Sequence, residues 1–99
     1  VIKPVAIGGA ARALRLANEA REQGKSVVFS HAFDGPFSRA FNAELTLAVD
    51  NALAAGIGEH DLLRDWPSVR TASIDLSRSG LATRLVPHSA AGLGVTVMR

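Results

Sequence analysis

The chain has 99 residues, 47% of them hydrophobic and none of them cysteine, and its formal net charge is +2. The lack of cysteine excludes a disulfide framework and a thiolate metal site. Eleven basic residues lie scattered among nine acidic ones, and no apolar run approaches the ~20 residues of a membrane span, so neither nucleic acid nor a membrane is an expected partner.

The first residues have the pattern of a short apolar strand that ends in a lysine. Lys3 closes the strand, and Pro4 marks the exit into a loop because proline cannot continue the hydrogen bonding of a buried strand. The glycine pair at residues 8–9 allows a tight turn. The spacing then predicts a helix over residues 10–23 with a stripe of alanines on one side, and Gly24 is placed to end it.

A second strand and a second helix follow. Residues 26–30 are rich in β-branched and apolar side chains without clean alternation, which is typical of a strand covered on both faces in a parallel sheet. Residues 31–36 form the loop after it. A helix is predicted over residues 37–55, ended by Gly56 and Gly58. Its apolar stripe consists of Phe37, Phe41, Leu45, Ala48, Val49 and Ala52.

The last forty residues or so have a different character. Residues 59–66 are compatible with a short helix that a proline ends. Residues 72–76 and 81–86 both alternate between apolar and polar side chains and are separated by a turn, so they predict a β-hairpin. Residues 92–97 form one more strand-like stretch.

This element order predicts an α/β fold. A strand–helix–strand–helix unit has parallel strands, which together cannot close a barrel or cover a sheet. We therefore expect one domain, incomplete on its own, with residues 1–58 as its βα units and residues 59–99 as a C-terminal segment. With no signal-peptide pattern, its expected location is the cytoplasm.

Four stretches carry a resemblance to a known family: residues 2–9, 28–35, 38–42 and 87–95. They resemble the C-terminal part of an enolase-superfamily enzyme of the muconate-lactonising subgroup, with o-succinylbenzoate synthase-like enzymes as the best fit. The resemblance covers most of residues 1–56 and, loosely, residues 85–97, whereas residues 57–80 do not follow it. It implies a partial (β/α) barrel, the C-terminal βαβα portion of an enolase-type TIM barrel, followed by a β-hairpin and tail.

The resemblance also implies a chemistry. Family members bind Mg²⁺ through three acidic residues on earlier strands and hold two lysines on opposite faces of a small carboxylate substrate. Only the second lysine matches this chain, at Lys3, so the metal ligands are expected elsewhere and none in this chain. In a synthase of the menaquinone pathway Lys3 would stabilise the enediolate; in a racemase, epimerase or cycloisomerase it would act as an acid and base.

The candidate site residues lie where strands end. Lys3 is the catalytic candidate, because the carboxyl ends of barrel strands carry the chemistry in such folds. Ser30, His31 and Asp34 follow the second strand and are candidate substrate-binding residues. Three of these residues have a structural alternative: Lys3 as an exposed surface lysine, His31 as a loop residue, and Asp34 as a turn or cap for the next helix. The cluster at residues 59–61 fits no metal-ligand spacing.

A second hypothesis belongs to a different class. The chain is a piece that works by docking onto a partner chain, which supplies the missing part of the barrel, or onto another copy of itself as a homo-oligomer. By either hypothesis the chain alone is not expected to catalyse a reaction.

Overall fold

Helices dominate the first half of the chain and short strands the second half. The computed structural model describes residues 1–58, 60–63, 69–75 and 84–98. The strands within these residues form two antiparallel pairs, so the fold is mixed α and β. The elements in chain order are the helices α1 (Pro4–Ile7), α2 (Ala10–Glu22) and α3 (Pro36–Ala48), a 3-10 turn at Asp61–Leu63, and the strands β1 (Val69–Thr71), β2 (Ile74–Asp75), β3 (Arg84–Leu85) and β4 (Val95–Val97).

Three short segments of the first 58 residues run parallel to one another. We call them the first (residues 1–3), second (residues 27–31) and third (residues 52–57) parallel segments. The bridged pairs are Ile2–Phe29, Val27–Ala52 and Ser30–Gly56. The second segment lies between the other two, so their carboxyl ends meet at one edge. The parallel pairing predicted for the first two is confirmed, as isolated bridges rather than a continuous ladder.

The main core lies between α2 and the parallel segments. Ala13 and Ala17 of α2 are fully buried, which confirms the predicted alanine stripe, and their small side chains let the helix approach closely. They belong to the same core as Phe29, whose ring is also fully buried; burying such a side chain contributes about 2–3 kcal/mol. The bounds of α2 agree with the predicted helix over residues 10–23 to within one residue.

Helix α1 replaces the loop expected after Lys3. Pro4 occupies its first turn, where the fixed φ of proline suits a helix and its missing N–H is not needed. Gly8 ends the helix at a φ of 95°, in the left-handed region that favours glycine. The expectation of a loop was wrong because a proline that ends a strand can also begin a helix.

Helix α3 is shorter than the predicted helix over residues 37–55. It ends at Ala48, and Asn51 then donates from Nδ2 to the carbonyls of Ala17 at 3.1 Å and Lys25 at 3.0 Å. The chain continues into the third parallel segment, so the glycines at 56 and 58 do not end a helix. A short apolar run fits a helix and a buried extended segment equally well, which explains the error.

The apolar stripe predicted for this helix is confirmed only in part. Leu45 is buried in the core, and Phe41 packs against it. Phe37 is 46% exposed and Ala48 is also exposed, contrary to the prediction. Val49 packs on the core from beyond the helix end. Ala52 packs on the core as well, so the predicted stripe was wrong at Phe37 and Ala48 and correct at its other four positions.

The C-terminal strands form two antiparallel pairs. Strand β2 pairs with β3, with Ile74 opposite Leu85, which confirms the predicted hairpin in its described residues. Strand β4 pairs with β1, and β4 agrees with the stretch predicted over residues 92–97. Strand β1 was not predicted, because three residues are too few to show a period. The hairpin turn and half of the helix predicted over residues 59–66 lie outside the described residues, and the other half contains the 3-10 turn at Asp61–Leu63.

The C-terminal tail is tied to α3 by a histidine. Nε2 of His88 lies 2.8 Å from Oε1 of Glu44, and Nδ1 of the same ring accepts from the N–H of Ala90 at 3.1 Å. Because Nδ1 is an acceptor, Nε2 carries a proton and donates to the carboxylate. This contact fixes the tail against α3.

Candidate functional site

The candidate site lies at the edge where the three parallel segments end. Lys3 ends the first segment, and Ser30 and His31 end the second. Gly56 of the third segment lies beside Ser30, to which it is bridged. The structure therefore brings Lys3, Ser30 and His31 together, as their positions at strand ends predicted.

The ammonium group of Lys3 is held by two acceptors. Nζ donates to the carbonyl oxygen of His31 at 2.7 Å and to Oγ of Ser30 at 3.2 Å. The Ser30 hydroxyl donates in turn to the same carbonyl at 3.1 Å, which closes a small hydrogen-bonded ring. An ammonium group has three N–H donors, so one remains for another acceptor. The Lys3 side chain is exposed, and an incoming anion can reach it.

His31 is buried and uses both ring nitrogens within the chain. Nδ1 accepts from the backbone N–H of Phe33 at 3.1 Å, so the proton lies on Nε2, which donates to the carbonyl of Gly58 at 3.1 Å. The side chain is only 7% exposed. The arrangement favours the structural alternative for His31: its ring ties the second segment to the residues after the third.

Phe33 is a feature that the sequence did not single out. Its φ is 58°, in the left-handed region, which is uncommon for a bulky residue and costs about 1–2 kcal/mol. Its ring lies between those of His31 and His60, with centroid distances of 5.3 and 4.7 Å, and is 47% exposed. Nothing in the sequence predicts a phenylalanine with positive φ here, because the bond from its N–H to His31 depends on the folded loop.

Asp34 supports the loop through both carboxylate oxygens. Oδ1 accepts from the N–H of Ala32 at 2.6 Å, and Oδ2 accepts from the hydroxyl of Ser38 in the first turn of α3. Partial burial would raise the pKa of Asp34, but the hydrogen bonds from Ser38 and Ala32 outweigh it and lower the pKa below its usual value. Asp34 therefore braces the loop against α3, close to the structural role predicted as its alternative.

Gly56 makes room for the Ser30 hydroxyl. A Cβ atom at Gly56 would lie 3.1 Å from Oγ and 3.2 Å from Cβ of Ser30, closer than most such contacts. The sequence placed Gly56 at a helix end, so its role beside the site was missed. A glycine two residues before another glycine gives no signal of which neighbour it approaches.

Comparison with known proteins adds no further group to this site. No protein-family model, curated protein or solved structure matches the chain. Within residues 1–58, 60–63, 69–75 and 84–98, no three histidine, aspartate or glutamate side chains come together in a way that could hold a metal ion. In the same residues, no helix has the length and apolar character needed to cross a membrane.

Proposed function

We propose that this chain is the C-terminal sector of a (β/α) barrel and part of a Mg²⁺-dependent, o-succinylbenzoate synthase-like lyase of the menaquinone pathway. One observation carries the proposal. Lys3 lies at the shared carboxyl edge of three parallel segments, with Nζ anchored by His31 and Ser30 and open to an incoming group. In α/β barrels the catalytic groups lie at that edge.

The role proposed for Lys3 is electrostatic. A fixed positive charge beside a carboxylate that is becoming an enediolate stabilises the developing negative charge, and one such group contributes about 10²–10³ in rate. Both partners of Nζ are hydrogen-bond acceptors, an arrangement suited to a charged ammonium. A racemase, epimerase or cycloisomerase, in which the lysine also accepts a proton, is the alternative within the same superfamily.

The magnesium ion of this proposal is held elsewhere. The resemblance places its three acidic ligands on earlier strands of the barrel, so we propose no metal ligand in this chain and derive no step through the metal. The acidic residues would come from the rest of the barrel or from a partner chain in the cytoplasm. Here Lys3 binds and orients the small carboxylate substrate.

A non-catalytic assembly role is the second candidate, and the apolar surface near the first segment favours it. Val1 is 88% exposed and precedes Ile2, the residue that pairs with the second segment, and Val5 in α1 is 57% exposed. Apolar side chains beside an extended segment suit a docked chain, either a partner or a second copy. The two candidates differ in whether the docked chain completes a site at Lys3.

Native mass spectrometry of the purified protein separates the two candidates. A complex with a larger chain that carries the metal-binding acids supports the enzyme; a homo-oligomer without them supports the assembly role. In such a complex, Lys3→Met should lower turnover about 10²–10³-fold without changing the mass of the assembly. Lys25→Met is the matched control, because Lys25 is also exposed but lies at the other end of the second segment.

Competitive lysine labelling tests the carboxylate site directly. The chain has two lysines, Lys3 and Lys25, so one mass spectrum of the labelled assembly compares them. Succinate should slow the modification of Lys3 by trinitrobenzenesulfonate and leave that of Lys25 unchanged, because the third N–H of Lys3 becomes occupied. If the rate of Lys3 modification were the same with and without succinate, the proposal would be contradicted.

A further inference from the structure

Asp34 and Gly35 form the only Asp-Gly or Asn-Gly pair in the sequence. Glycine has no side chain to obstruct the approach of its backbone nitrogen to Cγ, the carboxyl carbon of the preceding aspartate. Attack by that nitrogen on Cγ closes a succinimide ring. The pair lies in the loop after the second parallel segment, where Gly35 precedes α3 at a φ of 99°. The loop beside the candidate site therefore contains a chemically reactive pair.

Two hydrogen bonds fix the Asp34 carboxylate in the folded loop. Oδ1 accepts from the N–H of Ala32 at 2.6 Å, and Oδ2 accepts from the hydroxyl of Ser38 in the first turn of α3. Closing the ring moves Cγ to the Gly35 nitrogen and expels one carboxyl oxygen as water, so these bonds must open first. Hydrogen bonds to a charged group are among the stronger ones, and opening them is costly.

The same bonds keep the carboxyl group in its less reactive form. Partial burial raises the pKa of Asp34, but the hydrogen bonds from Ser38 and Ala32 outweigh it and lower the pKa below its usual value. The negative charge of a carboxylate repels an attacking lone pair, whereas the neutral acid can lose its hydroxyl group as water. The folded loop thus opposes ring closure both by position and by charge.

From these contacts we propose that Asp34 is a site of isoaspartate formation, which the bonds from Ala32 and Ser38 suppress in the folded protein. When the bonds open, the Gly35 nitrogen bonds to Cγ and loses its proton, and a Cγ–O bond breaks to release water. Water then hydrolyses the succinimide. Breaking the bond between nitrogen and Cγ restores aspartate, and breaking the bond between nitrogen and the main-chain carbonyl carbon gives isoaspartate.

Isoaspartate at residue 34 releases the loop from α3. The main chain then runs through Cγ and is longer by one carbon atom, and the bonds to Ala32 and Ser38 are lost. Phe33, held at a φ of 58° by the bond from its N–H to His31, is free to relax once the loop opens. The modification therefore alters the loop beside the candidate site, and it does not depend on the chemistry proposed for Lys3.

Peptide mapping of the aged protein tests this proposal. The protein is incubated at about pH 5, and chromatography with electron-transfer fragmentation distinguishes isoaspartate from aspartate, which has the same mass. Ser38→Ala should form isoaspartate at residue 34 about tenfold faster than the wild type, because a hydrogen bond to a charged group is lost. Ser38→Thr, which keeps a hydroxyl group, should react at close to the wild-type rate. Equal rates for Ser38→Ala and the wild type would overturn the proposal.

A variant loosened elsewhere separates local release from unfolding. His88→Ala breaks the hydrogen bond to Glu44 and leaves the bonds of Asp34 in place, so it should form isoaspartate at the wild-type rate. Asp50 is 93% exposed but is followed by asparagine rather than glycine, and it should stay unmodified in each variant. If His88→Ala reacted as fast as Ser38→Ala, unfolding rather than the Ser38 bond would set the rate, and the proposal would be wrong.

Discussion

Lys3 and Ser30 share one acceptor, the His31 carbonyl, and this shared oxygen holds both side chains at the edge of the parallel segments. The Ser30 hydroxyl both accepts and donates there, so its O–H and one of its two lone pairs have partners. Ser73 offers the opposite case. Its side chain is fully buried, and Oγ has no hydrogen-bond partner among the described residues.

The comparison of these two serines gives the first prediction. Ser73→Ala should raise the free energy of unfolding by about 1 kcal/mol, because it removes a buried hydroxyl that has no hydrogen-bond partner in the part of the chain that the structure describes. Ser30→Ala should leave it unchanged or lower it by a similar amount, because it breaks satisfied hydrogen bonds. Urea unfolding of both variants beside the wild type measures the two changes. A loss of stability in Ser73→Ala would contradict the account of Oγ as unpartnered.

Asp34 gives a prediction about pH. Its folded pKa is lowered, so the carboxylate contributes stability above its unfolded pKa, near 3.8, and loses it as the pH falls through the still lower folded pKa. Asp34→Ala should therefore lower the free energy of unfolding at pH 7 by about 0.5–1.5 kcal/mol and by less at pH 2.5. Asp50→Ala is the control, because the Asp50 carboxylate is 93% exposed and 3.8 Å from Arg21. An Asp34→Ala effect that does not shrink in acid would contradict this role.

At the scale of the secondary-structure elements, two glycines before β4 have the same backbone conformation but differ in how closely other atoms approach them. Gly92 and Gly94 precede β4 and have nearly the same φ, 58° and 59°. A Cβ atom at Gly94 would lie 2.7 Å from Cβ of Ala72 and from Cε1 of His88, whereas one at Gly92 would meet nothing within 4 Å. The close approach at Gly94 is what allows the tail to lie against the residues after β1.

Alanine at each position should therefore have different effects. Gly92→Ala should cost about 1 kcal/mol, from the left-handed backbone alone. Gly94→Ala should cost about 2–4 kcal/mol, because the backbone strain is joined by overlap with the side chains of Ala72 and His88. Thermal unfolding followed by circular dichroism gives both values. Equal costs for the two variants would show that the tail does not pack as described.

At the scale of the whole molecule, the parallel segments and the C-terminal strands meet across α3. Helix α3 packs on the core through Leu45 and holds the tail through Glu44 and His88. The chain has a radius of gyration of 13.4 Å, close to the ~13 Å of a compact domain of this length. Because Glu44 lies on the helix that packs on the core, its hydrogen bond to His88 links the core around the parallel segments to the C-terminal tail.

Removing this hydrogen bond should loosen the C-terminal strands and leave the parallel segments as they are. His88→Ala should speed the hydrogen exchange of two amides about tenfold. The N–H of Ala72 donates to the carbonyl of Gly94 and so joins the residues after β1 to the tail, and the N–H of Gly94 donates to the carbonyl of Ala91 within the tail. The amides of Ser30 and Gly56 should exchange as in the wild type. Mass-spectrometric exchange with His60→Ala as the exposed-histidine control tests this. Equal acceleration of exchange at all four amides would mean that the C-terminal strands and the parallel segments open together.

The sequence by itself determined the helices and strands whose apolar residues recur at a regular spacing. The alanine spacing in residues 10–23 predicted α2, and the alternation around Ile74 and Leu85 predicted a hairpin, because a helix and a two-stranded pair each bury one side at a constant period. The positions after strands also placed Lys3, Ser30 and His31 together, since parallel segments end at one edge.

Only the tertiary structure decided the features that depend on contacts distant in sequence. Residues 52–57 form a parallel segment rather than the end of α3, because Val27 and Phe29 offer their carbonyls to Leu53 and Gly56. The loop after the second segment is set by the His31 ring and by Phe33 at positive φ. These conformations depend on hydrogen-bonding groups from segments that are distant in sequence, and a local sequence pattern contains no information about those segments.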